Sequence, residues 1–209
     1  MSDDDQKSPR GRPRTMDADQ VLETAMNAYW REDPVDVSLN AICQMAGVSK
    51  PSVYRAFGSE DGLMEAVLDR YAERLQAVLG SVLGRGDGLT ETLAALVDFA
   101  ADAPDMATGC VYHKMLAARH RLGPQTRAKV DAIEAGTQAA FAAFFAARRA
   151  AGDGAGDLPD AVAARFLADQ IGLALGQRAA GLPGAQIRTT LTLALSVLDP
   201  RLPGDAPRG

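Results

Sequence analysis

Soft metal ligands, aromatic rings and long apolar runs are all scarce in this chain. Its 209 residues include two cysteines, two histidines and one tryptophan, and Phe, Tyr and Trp together make up 5%. Two thiols, Cys43 and Cys110, exclude a disulfide framework and fit a reducing compartment. Cys110, His113 and His120 share one helical face by their spacing. With no further ligand beside them, a packed thiol with partly exposed histidines is a plainer reading than a metal or thiol-switch site. No metal and no cofactor are therefore expected. The densest apolar run, AAFAAFFAA at 139–147, is too short to span a bilayer and runs into Arg148 and Arg149. The acidic opening, MSDDDQKSPR, lacks the apolar stretch of a signal peptide. These absences predict a soluble, cytoplasmic protein with no membrane partner. Nucleophile elbows, phosphate-binding glycine loops and H-E-x-x-H zinc motifs are missing too, so no catalytic residue is expected.

What is present is apolar substance and unevenly placed charge. Hydrophobic residues make up 47% of the chain, enough for a sizeable core. The net charge of −5 argues against coating nucleic acid by charge alone, yet leaves room for a local basic patch. Residues 6–14, QKSPRGRPR, carry Lys7, Arg10, Arg12 and Arg14 and no acid. Residues 15–57 then hold three basic residues against six acids. The cationic stretch reads as a Pro/Gly-containing arm, either a solvated tail or a nucleic-acid contact.

Helical periodicity follows the arm, and no strand-like alternation survives a count. Asp17 with Gln20 predicts the start of a first helix carrying Leu22, Ala25, Met26 and Tyr29, stopped by Asp33-Pro34. Ser38 caps a second, with Leu39, Ile42, Cys43 and Ala46 on one face and Gly47 at its end. Ser49 caps a third, which tolerates Pro51 in its first turn. A long amphipathic helix is expected from Ser59 to about Leu83, where Glu60 and Asp61 complement its dipole. Further helices are expected near 89–103, 106–119, 124–151, 159–181 and 184–199. The prediction is an all-α chain of about nine helices.

On a helical wheel the third helix divides cleanly. Lys50, Pro51, Tyr54 and Arg55 fall on one arc, and Ser52, Val53, Ala56 and Phe57 on the other. Two short helices joined by a glycine-containing turn, the second with a cationic, acid-free outer face, make a helix-turn-helix.

These features together resemble the TetR/AcrR family of transcriptional regulators. The likeness is carried by GRPR at 11–14, Tyr29-Trp30, Ser38-Leu39, Ile42, Ala46-Gly47-Val48-Ser49, Val53-Tyr54, Phe57, and Ser59 with Leu63. It covers about the first 80 residues, and the remainder fits the family in outline. The resemblance implies a flexible basic arm (1–14), a DNA-binding domain (15–60) and a tail (201–209). Residues 61–200 would form a larger helical domain that binds ligand and dimerises. By the same resemblance, Arg12 and Arg14 would enter the minor groove, with Arg10 a further DNA contact from the arm. Lys50, Pro51, Ser52 and Arg55 would face the major groove, Ser38 and Tyr54 would set register on phosphates, and Ser49 would be a further DNA contact. Two departures stand out: Glu60 replaces a usual lysine, and Asp33-Pro34 replaces a usual glycine turn.

Beyond the helix-turn-helix, the aromatics Phe99, Tyr112, Phe141, Phe144, Phe145 and Phe166 either line a pocket or simply fill the core. His113 and Gln170, polar among apolar neighbours, are candidates to orient a ligand. The last two helices carry more apolar surface than one inner stripe needs, which predicts a homodimer. Its expected interface comprises Leu173, Gly176, Leu191, Leu195 and Leu198. The expected function is a homodimeric repressor of a double-stranded DNA operator, released by a small, largely apolar effector. The alternative is a DNA-binding regulator governed by a protein partner or by thiol oxidation.

Overall fold

The computed structural model describes residues 16–104 and 109–202. Among these are nine α-helices and no strand: α1 (Ala18–Arg31), α2 (Leu39–Ala46), α3 (Lys50–Phe57), α4 (Glu60–Leu83), α5 (Leu89–Asp102), α6 (Val111–Ala117), α7 (Pro124–Ala150), α8 (Asp160–Ala179) and α9 (Gly184–Leu195). The all-α expectation holds, and most helix ends fall where capping residues put them. The Asp17 carboxylate accepts from the N–H groups of Asp19 and Gln20, at 3.0 and 3.2 Å. Ser38 and Ser59 accept from Ala41 N–H (3.2 Å) and Gly62 N–H (2.9 Å) to open α2 and α4. Gly47 closes α2 at φ +66°, in the left-handed region that glycine enters without a Cβ penalty.

Three expectations change. Ser49 sits at the N-cap of α3, but its hydroxyl makes no cap bond and pairs with the Ser52 hydroxyl at 2.9 Å. Pro51 in the first turn has no N–H to offer. The helix expected over 106–119 begins only at Val111. Gly109 stands at φ +84°, and a Cβ there would lie 2.7 Å from the Ala179 Cβ, so the chain turns sharply where it meets α8. Finally, α9 ends at Leu195 instead of 199. Asp199 precedes a proline, which disfavours helix. Its carboxylate accepts from the Thr90 hydroxyl (2.5 Å) and the Arg201 guanidinium (2.8 Å), pinning the chain's end to α5.

The helices form two connected units. In the first, α1, α2 and α3 pack on one another and on the N-terminal half of α4, around Val21, Met26, Leu39, Ile42, Val53 and Leu63. In the second, α7 lies along both α4 and α8, while α5 and α9 close the other side. Phe141, Phe145, Leu93, Leu96, Leu167 and Ile187 fill its centre. Helix α4 runs through both units, and Arg70 and Arg74 bind α1 to it through Asp19 and Glu23. No helix among the described residues is long and apolar enough to cross a membrane.

Candidate nucleic-acid interface and ligand cavity

Helix α3 is anchored by Val53, which is wholly buried, and by half-buried Phe57. The opposite arc, Pro51, Tyr54 and Arg55, is exposed, with Lys50 half-buried at its start. Ser52 is half-buried, and Ala56, assigned by the wheel to the inner arc, is exposed as well. On a helix of eight residues that caps a small unit, the buried stripe is narrower than half the circumference. Ser38 is exposed at the start of α2, and Ser49 at the start of α3. Arg10, Arg12 and Arg14 lie outside the described residues. Gln44 and Met45, not among the expected DNA contacts, are also exposed at the end of α2 just before the turn into α3. Met45, 56% exposed, falls off the apolar stripe of α2, and that offset signalled its exposure.

The two acids after α3 have partners far from their own helix. Glu60 Oε1 accepts from the N–H of Leu39, at 3.1 Å, and so caps α2 rather than serving only α4. Asp61 caps α7: it accepts from the N–H groups of Gln125 (2.8 Å) and Thr126 (3.0 Å) and from the Thr126 hydroxyl (2.6 Å). Burial pushes the Asp61 carboxyl upward, but these hydrogen bonds outweigh it and hold the group below its ordinary value. Both acids satisfy donors that a helix start leaves unpaired.

The second unit encloses a cavity of about 250 Å³ between α4, α5, α6, α7 and α8. Of the candidate ligand residues, Phe99, Tyr112, His113 and Phe141 line it. Phe145 and Phe166 do not, because the core turns them toward other neighbours, and Phe145 is fully buried. Gln170 faces away as well, into a shallow groove between α8 and α9 beside Leu173 and Thr190. The walls also include residues that the sequence did not single out as ligand contacts, among them Tyr71, Leu79, Cys110, Glu134, Arg165 and Gly172. A wider groove between α4 and α7 shares Leu75, Leu79 and Thr137 with the cavity. His113 stacks edge-on against Tyr112, and burial drives its pKa down to about 4, so the ring is neutral. Its Nδ1 is sealed in with no hydrogen-bond partner. The Tyr71 hydroxyl donates to Cys110 Sγ at 2.9 Å, and burial pushes both groups up. His120 is exposed on a 3-10 turn, apart from Cys110 and His113.

The expected dimer residues divide between inside and outside. Leu191, Leu195 and Leu198 are buried within the protomer, because α9 lays that face against α5 and α8. Leu173 and Gly176 are exposed. Large apolar groups left in solvent near these positions include Leu173, Leu193 and Val197, at 56%, 72% and 62% exposure, and Val162 and Leu182 are exposed farther along the same two helices and their link.

Comparison with known proteins bears on the first unit most directly. The family model described as "Bacterial regulatory proteins, tetR family" matches residues 21–67. The HTH-type transcriptional repressor ComR of Escherichia coli K12 is 38% identical over 71 residues, 34% of this chain and 34% of ComR. The repressor BdcR of the same strain is 29% identical over 117 residues, 56% of this chain and 59% of BdcR. The likeness therefore spans between one third and three fifths of these curated relatives. Among solved structures, a cysteine mutant of the TetR family regulator CifR, complexed with 26-bp double-strand operator DNA, is 28% identical with a TM-score of 0.72. That match covers 88% of this chain and 98% of CifR. The reduced form of Escherichia coli NemR shares the fold at a TM-score of 0.76 and 18% identity, covering 86% of this chain and 96% of NemR. With this helix-turn-helix on this helical frame, residues 21–67 carry the DNA-binding unit of the tetR family of bacterial regulatory proteins, and the chain as a whole has the fold of a TetR family regulator.

Proposed function

We propose that the protein is an intracellular, homodimeric repressor that binds a pseudo-palindromic operator and releases it when a small, largely apolar effector fills the cavity. One observation carries the DNA-binding part: α3 presents Lys50, Pro51, Tyr54 and Arg55 on a single acid-free arc, opposite a buried Val53. The likeness to CifR, itself solved on operator DNA, supports the same reading. In this reading Lys50 and Arg55 donate to base edges in the major groove, and Ser38, Ser49 and Tyr54 bond phosphates. Pro51 and Ser52 pack against the groove floor, and Arg10, Arg12 and Arg14 supply charge from the arm. The exposed apolar residues Leu173, Leu193 and Val197, with Gly176, are the surface on which a second copy would sit. Control by thiol oxidation has less support, because burial keeps Cys110 in its unreactive thiol form.

The test is fluorescence anisotropy on duplexes from the intergenic region beside the protein's own gene. Lys50→Ala should cost about 1–3 kcal/mol on the operator and relax preference at one position per half-site. Tyr54→Phe should weaken all DNA alike, by about 0.5–1.5 kcal/mol. Deleting residues 1–14 should flatten the log–log salt slope by about two to four units, at roughly 0.9 per phosphate. Equal loss on every sequence for Lys50→Ala would sink the assigned division of the α3 face.

A further inference from the structure

We infer that the cavity selects an uncharged molecule of about two fused rings that carries one hydrogen-bonding oxygen, and that His113 is the residue that reads that oxygen. This deepens the effector reading above and rests on it.

Size comes first. An apolar cavity of about 150 Å³ holds one benzene. At about 250 Å³ this one has room for roughly ten to twelve non-hydrogen atoms. Its depth is lined by Leu79, Leu96, Phe99, Leu116, Phe141 and Leu175, so most of the ligand must be hydrocarbon.

Charge comes next. Arg165 is the one cation among the residues lining the cavity, and it is already committed. Its guanidinium donates to Glu134 Oε1 at 3.1 Å and to Asp169 Oδ2 at 3.0 Å. Two carboxylates share one cation, leaving a net negative rim that repels an anionic ligand. These three side chains are about 31–56% exposed, so they form a solvated rim. The depth holds no fixed charge to receive an ammonium, and burying an unpaired ion there is costly.

Tyr71, Tyr112, Thr137 and Gln138 also line the cavity, but of its uncharged polar side chains His113 is the one with a buried atom left unpartnered. Its ring lines the cavity, and Nε2 lies beside Gly172, where a Cβ would come within 2.7 Å. Glycine at 172 is what lets the ring sit there. Nδ1 is buried without a partner, and an orphaned N–H costs more than an orphaned lone pair. The proton therefore belongs on Nε2, which becomes a donor to a ligand oxygen. Tyr71 is not available for this, since its hydroxyl is given to Cys110.

Calorimetry on the full chain without DNA tests this with three probes of one shape: naphthalene, 2-naphthol and 2-naphthoate. We expect 2-naphthol to bind about tenfold more tightly than naphthalene, the most that one neutral hydrogen bond supplies. We expect 2-naphthoate to bind more weakly than naphthalene. His113→Phe should abolish the preference for 2-naphthol while still binding naphthalene, and His113→Gln should keep it. If 2-naphthoate matches 2-naphthol, or if the preference survives in His113→Phe, the inference is overturned. The wild-type probe series decides the charge and oxygen arms even if a variant fails to fold. Adding 2-naphthol to the operator complex separates the two proposals. His113-dependent binding that leaves DNA affinity unchanged keeps this inference and removes the effector reading. DNA release by another compound, with no 2-naphthol binding, does the reverse.

Discussion

Asp61 joins the two halves of the molecule through a single side chain. Its carboxylate takes three donors at the start of α7, and Gly123 must stay bare because a Cβ would lie 2.3 Å from the Asp61 carboxyl carbon. Asp61→Ala would strand those donors in a half-buried place, and we expect a loss of about 1–3 kcal/mol in urea denaturation. The folded pKa is depressed, so this stabilisation is present above the ordinary carboxylate range and disappears as pH falls through the folded value. His113 acts in a higher window. Its folded pKa is about 4 against an ordinary 6.5, so the unfolded chain takes up the proton first as pH falls. Stability from neutral His113 is full above pH 6.5 and lost on the way down to about 4, by up to about 3 kcal/mol. His113→Gln should flatten the pH–stability curve between those values, measured by denaturation at each pH. An unchanged slope would mean that the ring is hydrated in the folded protein. The sequence made Glu60 and Asp61 look like local acids on their own helix. Their partners lie 21 and 65 residues away in the chain, and no periodicity reports a cap supplied at that distance.

At the scale of helices, the sequence was informative wherever a boundary is decided locally. Asp17, Ser38, Gly47 and Ser59 each terminate an element by their own chemistry, and those ends were readable. The start of α6 depends on its meeting with α8, and the end of α9 on the tie from Asp199 to Thr90 of α5 as well as on Pro200, so these were not. The apolar surplus on α9 shows the same division. Periodicity identified more apolar surface than one stripe needs but could not say which part of it α5 would cover. Packing settles it: Leu191 and Leu195 are 3% and 0% exposed, while Leu193 and Val197 stand in solvent. If a second copy covers the outer face, Leu193→Asp with Val197→Asp should yield folded monomers in sedimentation, with the helical circular dichroism intact. Leu195→Asp should instead unfold the protomer, since it buries a carboxylate with no partner. A folded dimer that survives the Leu193 and Val197 pair would move the interface elsewhere, with α8 around Leu173 as the next place to look.

For the whole molecule, the question is how a filled cavity could alter a DNA face at the other end. Helix α6 touches both. His113 and Leu116 line the cavity, while Lys114 between them reaches out to the end of α1. Its ammonium donates to the Trp30 carbonyl, and to that of Glu32 at 3.4 Å, groups that the end of α1 leaves unpaired. Trp30 answers by donating its indole N–H to the Gly109 carbonyl at 2.7 Å, just before α6. A displacement of α6 by ligand therefore has a polar lever on α1, and α1 packs directly on α2. Coupling between two sites is a free energy, typically about 1–3 kcal/mol, and it must act equally in both directions. Lys114→Met keeps the length and apolar stem of the side chain but cuts the lever. We expect it to leave 2-naphthol affinity within a few-fold of wild type in the absence of DNA, and operator affinity likewise in the absence of ligand. The factor by which each ligand weakens the other should shrink toward one, by the same amount whichever is titrated. The Asp61 cap of α7 is the competing route, since α7 also lines the cavity through Phe141. If Lys114→Met leaves the coupling intact and a conservative Asp61→Asn removes it, the signal travels through α7 and α4 instead of through α6 and α1.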